Sequence, residues 1–307
     1  MSYIHPGYMG QATIGGFSCR FGDANITAKQ DVQIPDLVMG HWDRAAYNFG
    51  KVEINGSISG PATESFANVV GGVSNSIFAW AYDRDDCGAL SSKTVGLYYY
   101  CDAVNASNNY RTFSDVLANS CNFSCAAGDI AQFSVDVIGA TAPVWSTNTS
   151  ATANTTTEKL ITWDIVNPVI TAGSGITIAT AALLSNFEFT INNNVTAVYA
   201  MNQTGTVIPG GGFFPAALVP GLRSITGSIS CYDPQVFNGV AGYNTANDSG
   251  TGTWDANASR ATIAFTVGNV AVSFRVQFHR IEPALGVGPI ISTVGFTAVG
   301  VQTQLLT

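Results

Sequence analysis

The sequence predicts a mainly β protein with one or two short helices. Three observations carry that expectation. A strand-like phrase occurs twice, as Ile54-Asn-Gly-Ser-Ile-Ser59 and as Ile225-Thr-Gly-Ser-Ile-Ser230, 171 positions apart. Ser, Thr, Asn and Gly are abundant and Lys is scarce, a composition that favours strands and turns over long helices. Several segments alternate apolar and polar residues with period two, and none holds a 3.6-residue period beyond a turn or three.

Taken in order, residues 13–21 and 25–32 read as strands about the turn Gly22-Asp23. Residues 33–48 are irregular, with Pro35, Gly40, Trp42 and Tyr47, and read as a long loop. Residues 49–60 hold the first copy of the phrase. Residues 61–70 suit a short helix, with Pro61 near its start and Gly71-Gly72 to stop it. Residues 76–82 read as a strand or the end of a helix before the acidic turn 83–86. Residues 95–102 form a strand with three consecutive tyrosines. Residues 118–125 and 130–138 flank Gly128-Asp129 and make the best hairpin of this half; Val135 and Val137 alternate with Ser134 and Asp136.

Residues 141–157 are low in complexity and mark a boundary. The expected division is a first domain at 1–142, a linker at 143–158 and a second domain at 159–307. Residues 160–166 read as a strand and 169–181 as a loop. The second half then restates the first. Phe187-Glu-Phe-Thr-Ile191 lies 170 positions beyond Phe17-Ser-Cys-Arg-Phe21, and Thr196-Ala197 follows as Thr27-Ala28 does. A Gly/Pro loop to Pro215 stands where the first half has the loop through Pro35, and then the phrase returns. Residues 261–267 and 270–279 form a hairpin at Gly268-Asn269, and 293–302 a final strand.

Charge and chemistry narrow the function classes. Only 10% of residues are charged, against about 25% in an ordinary soluble domain, and the net charge is −8. So little charge fits a chain whose surface is covered by neighbours, or a secreted β-protein rich in hydroxyls. There is no basic cluster with which to grip phosphate. The N-terminus has neither a positive region nor an apolar core, so no signal peptide is read. The longest apolar stretches are too short for a membrane anchor. The six cysteines, Cys19, Cys87, Cys101, Cys121, Cys125 and Cys231, read as buried thiols. Cys121 and Cys125 would share a strand face, about 13 Å apart, too far to bond one another.

No catalytic, cofactor or metal site emerges. His5, His41 and His279 are isolated, and no Cys or His cluster has zinc spacing. The serines of Gly56-Ser-Ile-Ser-Gly60 lie within a strand and recur, which points to structure and not to a nucleophile elbow. Asp83-Arg-Asp-Asp-Cys-Gly88 opens like a calcium loop but has Thr94 where the bidentate Glu belongs, so it reads as a solvated turn. Gly210-Gly-Gly212 is followed by Phe213-Phe214 and not by Lys-Ser/Thr, so it is no phosphate loop. Phe213, Phe214 and Pro215, with Trp42 in the matching loop, are expected to dock on a neighbouring subunit; folding back on their own domain is the alternative.

The layout resembles the tail tube proteins of tailed bacteriophages, in the form with two tube domains per chain. The resemblance rests on residues 184–193, the loop to Pro215, 225–230 and Val294-Gly-Phe-Thr-Ala-Val-Gly300, matched by 54–60, 118–125, Gly128 and the strand to Gly139. It spans about residues 12–302, and the first half departs from it around 75–115. It implies two duplicated β-sandwich or partial-barrel domains, with each domain giving a four-stranded sheet to a continuous inner barrel of about 24 strands. It also implies stacked rings, as trimers with pseudo-sixfold symmetry or alternatively hexamers, forming the conduit for DNA ejection in a virion assembled in the host cytoplasm. The implied partners are further copies, the tape measure, the terminator, a sheath where one exists and the baseplate, with double-stranded DNA passing without specific binding. No cofactor is implied. On this reading Ser57, Ser59, Thr226, Ser228 and Ser230 face the lumen, and Ile54, Ile58, Ile225 and Ile229 the core. Two other classes stand beside it: a tail hub or baseplate component with paired tube domains, and a carbohydrate-binding β-sandwich suggested by Trp42, Trp80, Trp145, Trp163 and Trp254.

Overall fold

The computed structural model describes residues 11–15, 17–19, 21–33, 48–63, 76–85, 87–98, 110–146, 159–166, 168–172, 177–179, 184–200, 213–232, 260–267, 270–279 and 291–299. In the first half run β1 (Gln11–Ile14), β2 (Phe17–Cys19), β3 (Asp23–Gln33), β4 (Asn48–Pro61), α1 (Ile77–Tyr82), β5 (Lys93–Tyr98), β6 (Tyr110–Ala126), β7 (Gln132–Gly139) and β8 (Val144–Ser146). The second half has α2 (Trp163–Val166), β9 (Val169–Ala172), β10 (Thr177–Ala179), β11 (Leu184–Asn192), β12 (Thr196–Val198), β13 (Ala217–Val219), β14 (Ser224–Cys231), β15 (Arg260–Val267), β16 (Val270–Phe278) and β17 (Ser292–Ala298). The protein is mainly β, as the sequence predicts. Among the described residues no helix is long and apolar enough to cross a membrane.

The pairing order is the same in both halves. Starting from β3, successive neighbours are β4, β7, β6, β5, β1 and β2. Starting from β11, they are β14, β17, β16, β15, β9 and β10. Every one of these pairs is antiparallel. The repeated phrase sets the correspondence, because it falls on β4 and β14. The halves meet where β11 pairs with β6, from Asn186 opposite Ala126 to Asn192 opposite Ser120.

The sequence matched 17–21 with 187–191, and here the structure differs. Phe17–Cys19 is β2, at the far end of the first half's order, and β3 holds the place that β11 holds in the second. An alternating five-residue pattern fits any strand; the pairing with β4 decides which strand is equivalent. Residues 160–166 are not a strand. Leu160 and Thr162 make single bridges to Thr63 and Ile130, and α2 follows. Its start is favoured by Asp164, which accepts from the Thr162 hydroxyl in the first turn. The expected loop 169–181 instead supplies β9 and β10, which extend the sheet beside β15. The opening of the expected linker is also ordered, because β8 pairs with β6. Pro61 ends β4, and the rest of the helix expected at 61–70 lies outside the described residues beyond Thr63.

β6 changes neighbours along its length. Its first part, from Tyr110 to Val116, pairs with β5. Its last part pairs with β7 on one edge and β11 on the other. The register shifts between Ala118 and Ser120, a bulge that falls between the two parts. The β6–β7 connection turns at Gly128, φ +85°, a conformation that glycine adopts without steric cost.

The core lies on the apolar face of the β4–β14 region and is continuous across both halves. Phe123 of β6 and Phe189 of β11 meet across the joint, ring centroids 5.5 Å apart. Phe189 also contacts Phe265 and Phe274 of β15 and β16, at 5.2 and 5.4 Å. Phe187 reaches Phe265 at 4.8 Å. Each such ring, fully buried, is worth about 2–3 kcal/mol. α1 closes this core at the joint. Ser76 caps it, its hydroxyl accepting from the Ala79 amide at 3.0 Å, and all six helical residues are buried. Phe78 packs edge-on against Phe189, and Tyr82 lies against Phe274. A first-half helix thus rests on second-half rings.

Candidate functional site: the polar face and its edges

The face opposite the core carries polar residues in register across several strands. One row runs Asp23, Ser59, Ser134, Asn122, Thr190, Thr226, Thr297 and Gln277 through β3, β4, β7, β6, β11, β14, β17 and β16. A second runs Asn25, Ser57, Asp136, Ser120, Asn192 and Ser224. A third runs Gln132, Ser124, Glu188 and Ser228. Between the first two lies an apolar row on the other face, Ala24, Ile58, Val135, Cys121, Ile191 and Ile225. Strand alternation alone produces this separation of faces.

The polar side chains bind one another along the face. Ser120 donates to Asp136 at 2.7 Å, Ser228 to Glu188 at 2.7 Å, and Asn122 of β6 donates across the joint to Thr190 of β11 at 2.9 Å. Ser230 and Thr293 share a 2.8 Å hydrogen bond, as do His279 and Thr297 at 2.9 Å. Within the three rows the charged residues are Asp23, Asp136 and Glu188, all anionic. These rows are therefore wettable, and Lys29, Lys51 and Arg275 share the face with them along β3, β4 and β16.

Ser57, Ser59, Thr226, Ser228 and Ser230 all belong to this face. Thr226 is exposed, Ser57, Ser59 and Ser228 are half-buried, and Ser230 is nearly covered. Ile54, Ile58, Ile225 and Ile229 are buried on the other face. The glycine of the repeated phrase sits among these isoleucines. A Cβ on Gly227 would lie 2.3 Å from the Glu188 carbonyl oxygen and 2.3 Å from Phe296. One on Gly56 would lie 2.0 Å from the Asn25 carbonyl oxygen. The same close approach of the neighbouring strand recurs in both halves, which accounts for the recurrence of glycine.

The joint is also held at its end by an arm, residues 193–200 and 213–223, in which β12 and β13 pair. Val195 and Leu218 of the arm pack with Leu90, Leu117 and Ile138 of the first half. Tyr199 Oη donates to the Val52 carbonyl at 2.9 Å, and the Val52 amide donates to the Phe213 carbonyl at 2.7 Å. Asn193, fully buried, donates from Nδ2 to the carbonyls of Ala81 and Ala118 at 2.9 and 3.0 Å. Arg84 donates to the Asn193 Oδ1 at 3.1 Å and to the Gly221 carbonyl at 3.0 Å. Arg223 donates to the Tyr82 carbonyl at 2.6 Å with its guanidinium over the Tyr82 ring. Burial pushes the Tyr82 hydroxyl up from its ordinary pKa and the Arg84 guanidinium down from its own. Beside the arm, Lys51 pairs with Glu53 at 2.5 Å and holds that carboxyl below its usual range. A cavity of about 310 Å³ lies there, lined by Lys51, Glu53, Asn55, Ile138 and Tyr199 among others.

Of the aromatic loop, Phe213 keeps an exposed ring while its carbonyl binds Val52, Phe214 packs on the core and Pro215 is buried. That arm lies on the first half of its own chain. Trp42 lies outside the described residues, as does Trp254. Trp80 is buried with Nε1 donating to the Ser91 carbonyl, and Trp145 flanks Arg111, so these tryptophans form no common face. Among the described residues no group of three His, Cys, Asp or Glu is placed to hold a metal ion. Cys121, Cys125 and Cys231 are buried, but Cys87 is exposed in the turn after α1, contrary to the expectation of buried thiols throughout.

The family model described as phage tail tube protein matches residues 26–298. The chain belongs to the phage tail tube protein family. Its role is accordingly that of a structural component of a phage tail. Among solved structures it is similar to the sheath/tube terminator of PVC, an extracellular contractile injection system, in the extended state. That chain is 13% identical, with 47% of this chain and 96% of that one covered and a TM-score of 0.33. No curated protein matches the sequence. Sequence reasoning found the hydroxyls of β4 and β14 through their repetition. It placed Asp136 on a polar strand face without joining it to these hydroxyls, and it missed Asn122, Thr190 and Glu188, which continue the same rows. It also missed Asn193, Arg84 and Arg223, whose contacts span more than a hundred residues and leave no local pattern.

Proposed function

We propose that the chain is a tail tube subunit that closes with further copies into a ring, and that rings stack into the conduit for DNA ejection. One observation carries this reading: the joint inside the chain leaves its own complement open. β11 occupies the second half's end place and is paired on its outer edge by β6 of the first half. β3 occupies the same place in the first half, and among the described residues it pairs with β4 alone. An open strand edge of eleven residues is a template for another strand. A second copy, presenting its second half as β6 presents the first, fills it and repeats the joint.

Each half supplies four strands, β3-β4-β7-β6 and β11-β14-β17-β16, so three chains give about 24 strands, wide enough for an open lumen. The polar rows with Ser57, Ser59, Thr226, Ser228 and Ser230 line that lumen, and their anionic character lets DNA pass without adhering. Residues 1–142 and 159–307 are the two tube domains, with 143–158 joining them. The loop 34–47, with Trp42, stands in the chain where the arm stands and reaches the neighbouring chain, and the exposed ring of Phe213 is offered to another copy. The tape measure, terminator, baseplate and any sheath are the expected partners, in a virion assembled in the host cytoplasm.

Negative-stain electron microscopy of the purified protein over a concentration series tests this. Threefold rings or hollow tubes are expected. A monomer that forms neither at any concentration overturns the reading, and sixfold rings of six chains overturn the threefold closure.

A further inference from the structure

Among the described residues eleven large apolar side chains are exposed, and nine of them lie at the two ends of the strands. At the end where β11 stops and β14 starts stand Val32 of β3 and four residues of the arm, Val198, Phe213, Val219 and Leu222. Leu218 of the arm packs on the first half, so its neighbour Val219 and the cross-strand Val198 face away from it. Leu222 is 89% exposed. At the opposite end, where β6 turns at Gly128, stand Ile130, Leu160, Tyr232 and Ile291. Leu160 is held there by its bridge to Thr63, and Ile130 by its bridge to Thr162. Tyr232 and Ile291 flank the last β14–β17 pair, Cys231 with Ser292. The other two, Val144 and Trp145, belong to β8, and none of the eleven lies in the three polar rows.

We propose that the two apolar ends are the halves of one interface: the arm end of one copy seats on the Ile130–Ile291 end of the next. This rests on the ring reading above, in which the strand ends become the two rims of a ring. The occupant is a second copy because the patches come as a pair. Two unlike surfaces at opposite ends of one molecule make a heterologous contact, and a contact directed along the strands repeats without closing. The area sets the order of events. Nine side chains of about 150–250 Å² each, roughly half exposed, offer on the order of 900 Å². A stable pair buries about 1,200–2,000 Å². One contact between single chains therefore falls short. A closed ring makes several such contacts together, and each after the first is intramolecular. Rings form first and then stack, and single chains do not string end to end.

Leu222→Asp puts a charge into the arm end, and Ile291→Asp puts one into the opposite end, both at exposed positions. The purified variants are assembled and viewed by negative-stain electron microscopy, and buried Cys121 escapes alkylation where the fold is intact. Each variant alone is expected to give single rings and to need at least tenfold more protein than the parent to stack. Mixed after ring assembly, the two are expected to give double rings and nothing longer. The intact arm end of Ile291→Asp then meets the intact opposite end of Leu222→Asp, and both outer rims carry the charge. Val219→Asp and Leu160→Asp repeat the test on other segments and replace a first variant whose Cys121 is alkylated. Stacking of a folded single variant at the parent's concentration overturns the proposal and leaves the ring reading standing. Double rings from one variant alone, or a mixture that does not pair, do the same. End-to-end strings of single chains overturn the order of assembly. A parent that forms no ring at any concentration overturns both readings.

Discussion

The recurrence of glycine in the two phrases can be tested by filling the space it leaves. Gly227→Ala puts a methyl group 2.3 Å from the Glu188 carbonyl oxygen and 2.3 Å from the Phe296 ring. Real Cβ atoms do not come so close, so something must move. The carbonyl is held in the ladder between β11 and β14, and the ring is wedged against Phe187 and Phe278. Relieving each contact costs about 2 kcal/mol by the usual scale for overpacking. Loss of glycine's freedom in the unfolded chain returns about 0.7 kcal/mol. A net destabilisation of about 3 kcal/mol is expected, read from reversible guanidinium denaturation of the monomer followed by tryptophan fluorescence. Gly56→Ala should cost as much, because its obstacles, the Asn25 carbonyl and Ile26 Cα, are backbone atoms. Gly128→Ala meets nothing within 4 Å and sits at φ +85°; it should cost only about 1–2 kcal/mol of left-handed strain. If Gly227→Ala lies within 1 kcal/mol of the parent at unchanged m-value, or if Gly128→Ala costs as much, the contact reasoning is refuted.

Three further outcomes are expected. Asn193→Ala strips the carbonyls of Ala81 and Ala118 of their donor and Arg84 of an acceptor at a fully buried position; a loss of about 3–4 kcal/mol is expected by the same denaturation, larger than for Asn194→Ala at the exposed neighbour. Burial pushes the Cys121 thiol up to about 12 and the Cys125 thiol up to about 11. Alkylation at pH 8, mapped by mass spectrometry, should therefore mark exposed Cys87 and spare both. A thiol whose pKa is raised on folding stabilises below its ordinary value and loses that contribution as pH rises, so stability should decline between about pH 9 and 12, and Cys121→Ala should flatten the decline.

Much of the fold was legible because period-two alternation survives without any knowledge of neighbours. Ile54, Ile58, Ile225 and Ile229 announced their face, and Gly128-Asp129 announced its hairpin. The segments that misled were those whose structure is set from outside. Val169–Ala172 is too short to declare itself and becomes a strand because β15 offers it an edge. Residues 163–166 turn helical beside Asp164 where composition suggested a strand. The duplication was visible in the phrase on β4 and β14, yet Phe17 was matched to Phe187 because chain order was read in place of spatial order. The polar face was half legible: repetition exposed its serines, but the rows that join them to Asn122, Thr190 and Glu188 exist only in the register between strands. The contacts of Asn193, Arg84 and Arg223 join a turn, a helix end and a strand start, and no one-dimensional pattern encodes such a meeting.

The bulge in β6 has a consequence for how such a chain can change length. One continuous strand pairs with β5 from Tyr110 to Val116 and with β11 from Ser120 to Ala126, with the extra residue of the bulge between them. An insertion or deletion within a regularly paired stretch would turn every later side chain to the wrong face of the sheet. At 118–120 an added residue enlarges an existing irregularity and leaves both registers intact. A second irregularity lies at 113–116, where Asp115 has φ +54°, so indels in this strand should gather at these two places while the stretches between and beyond them keep a constant count.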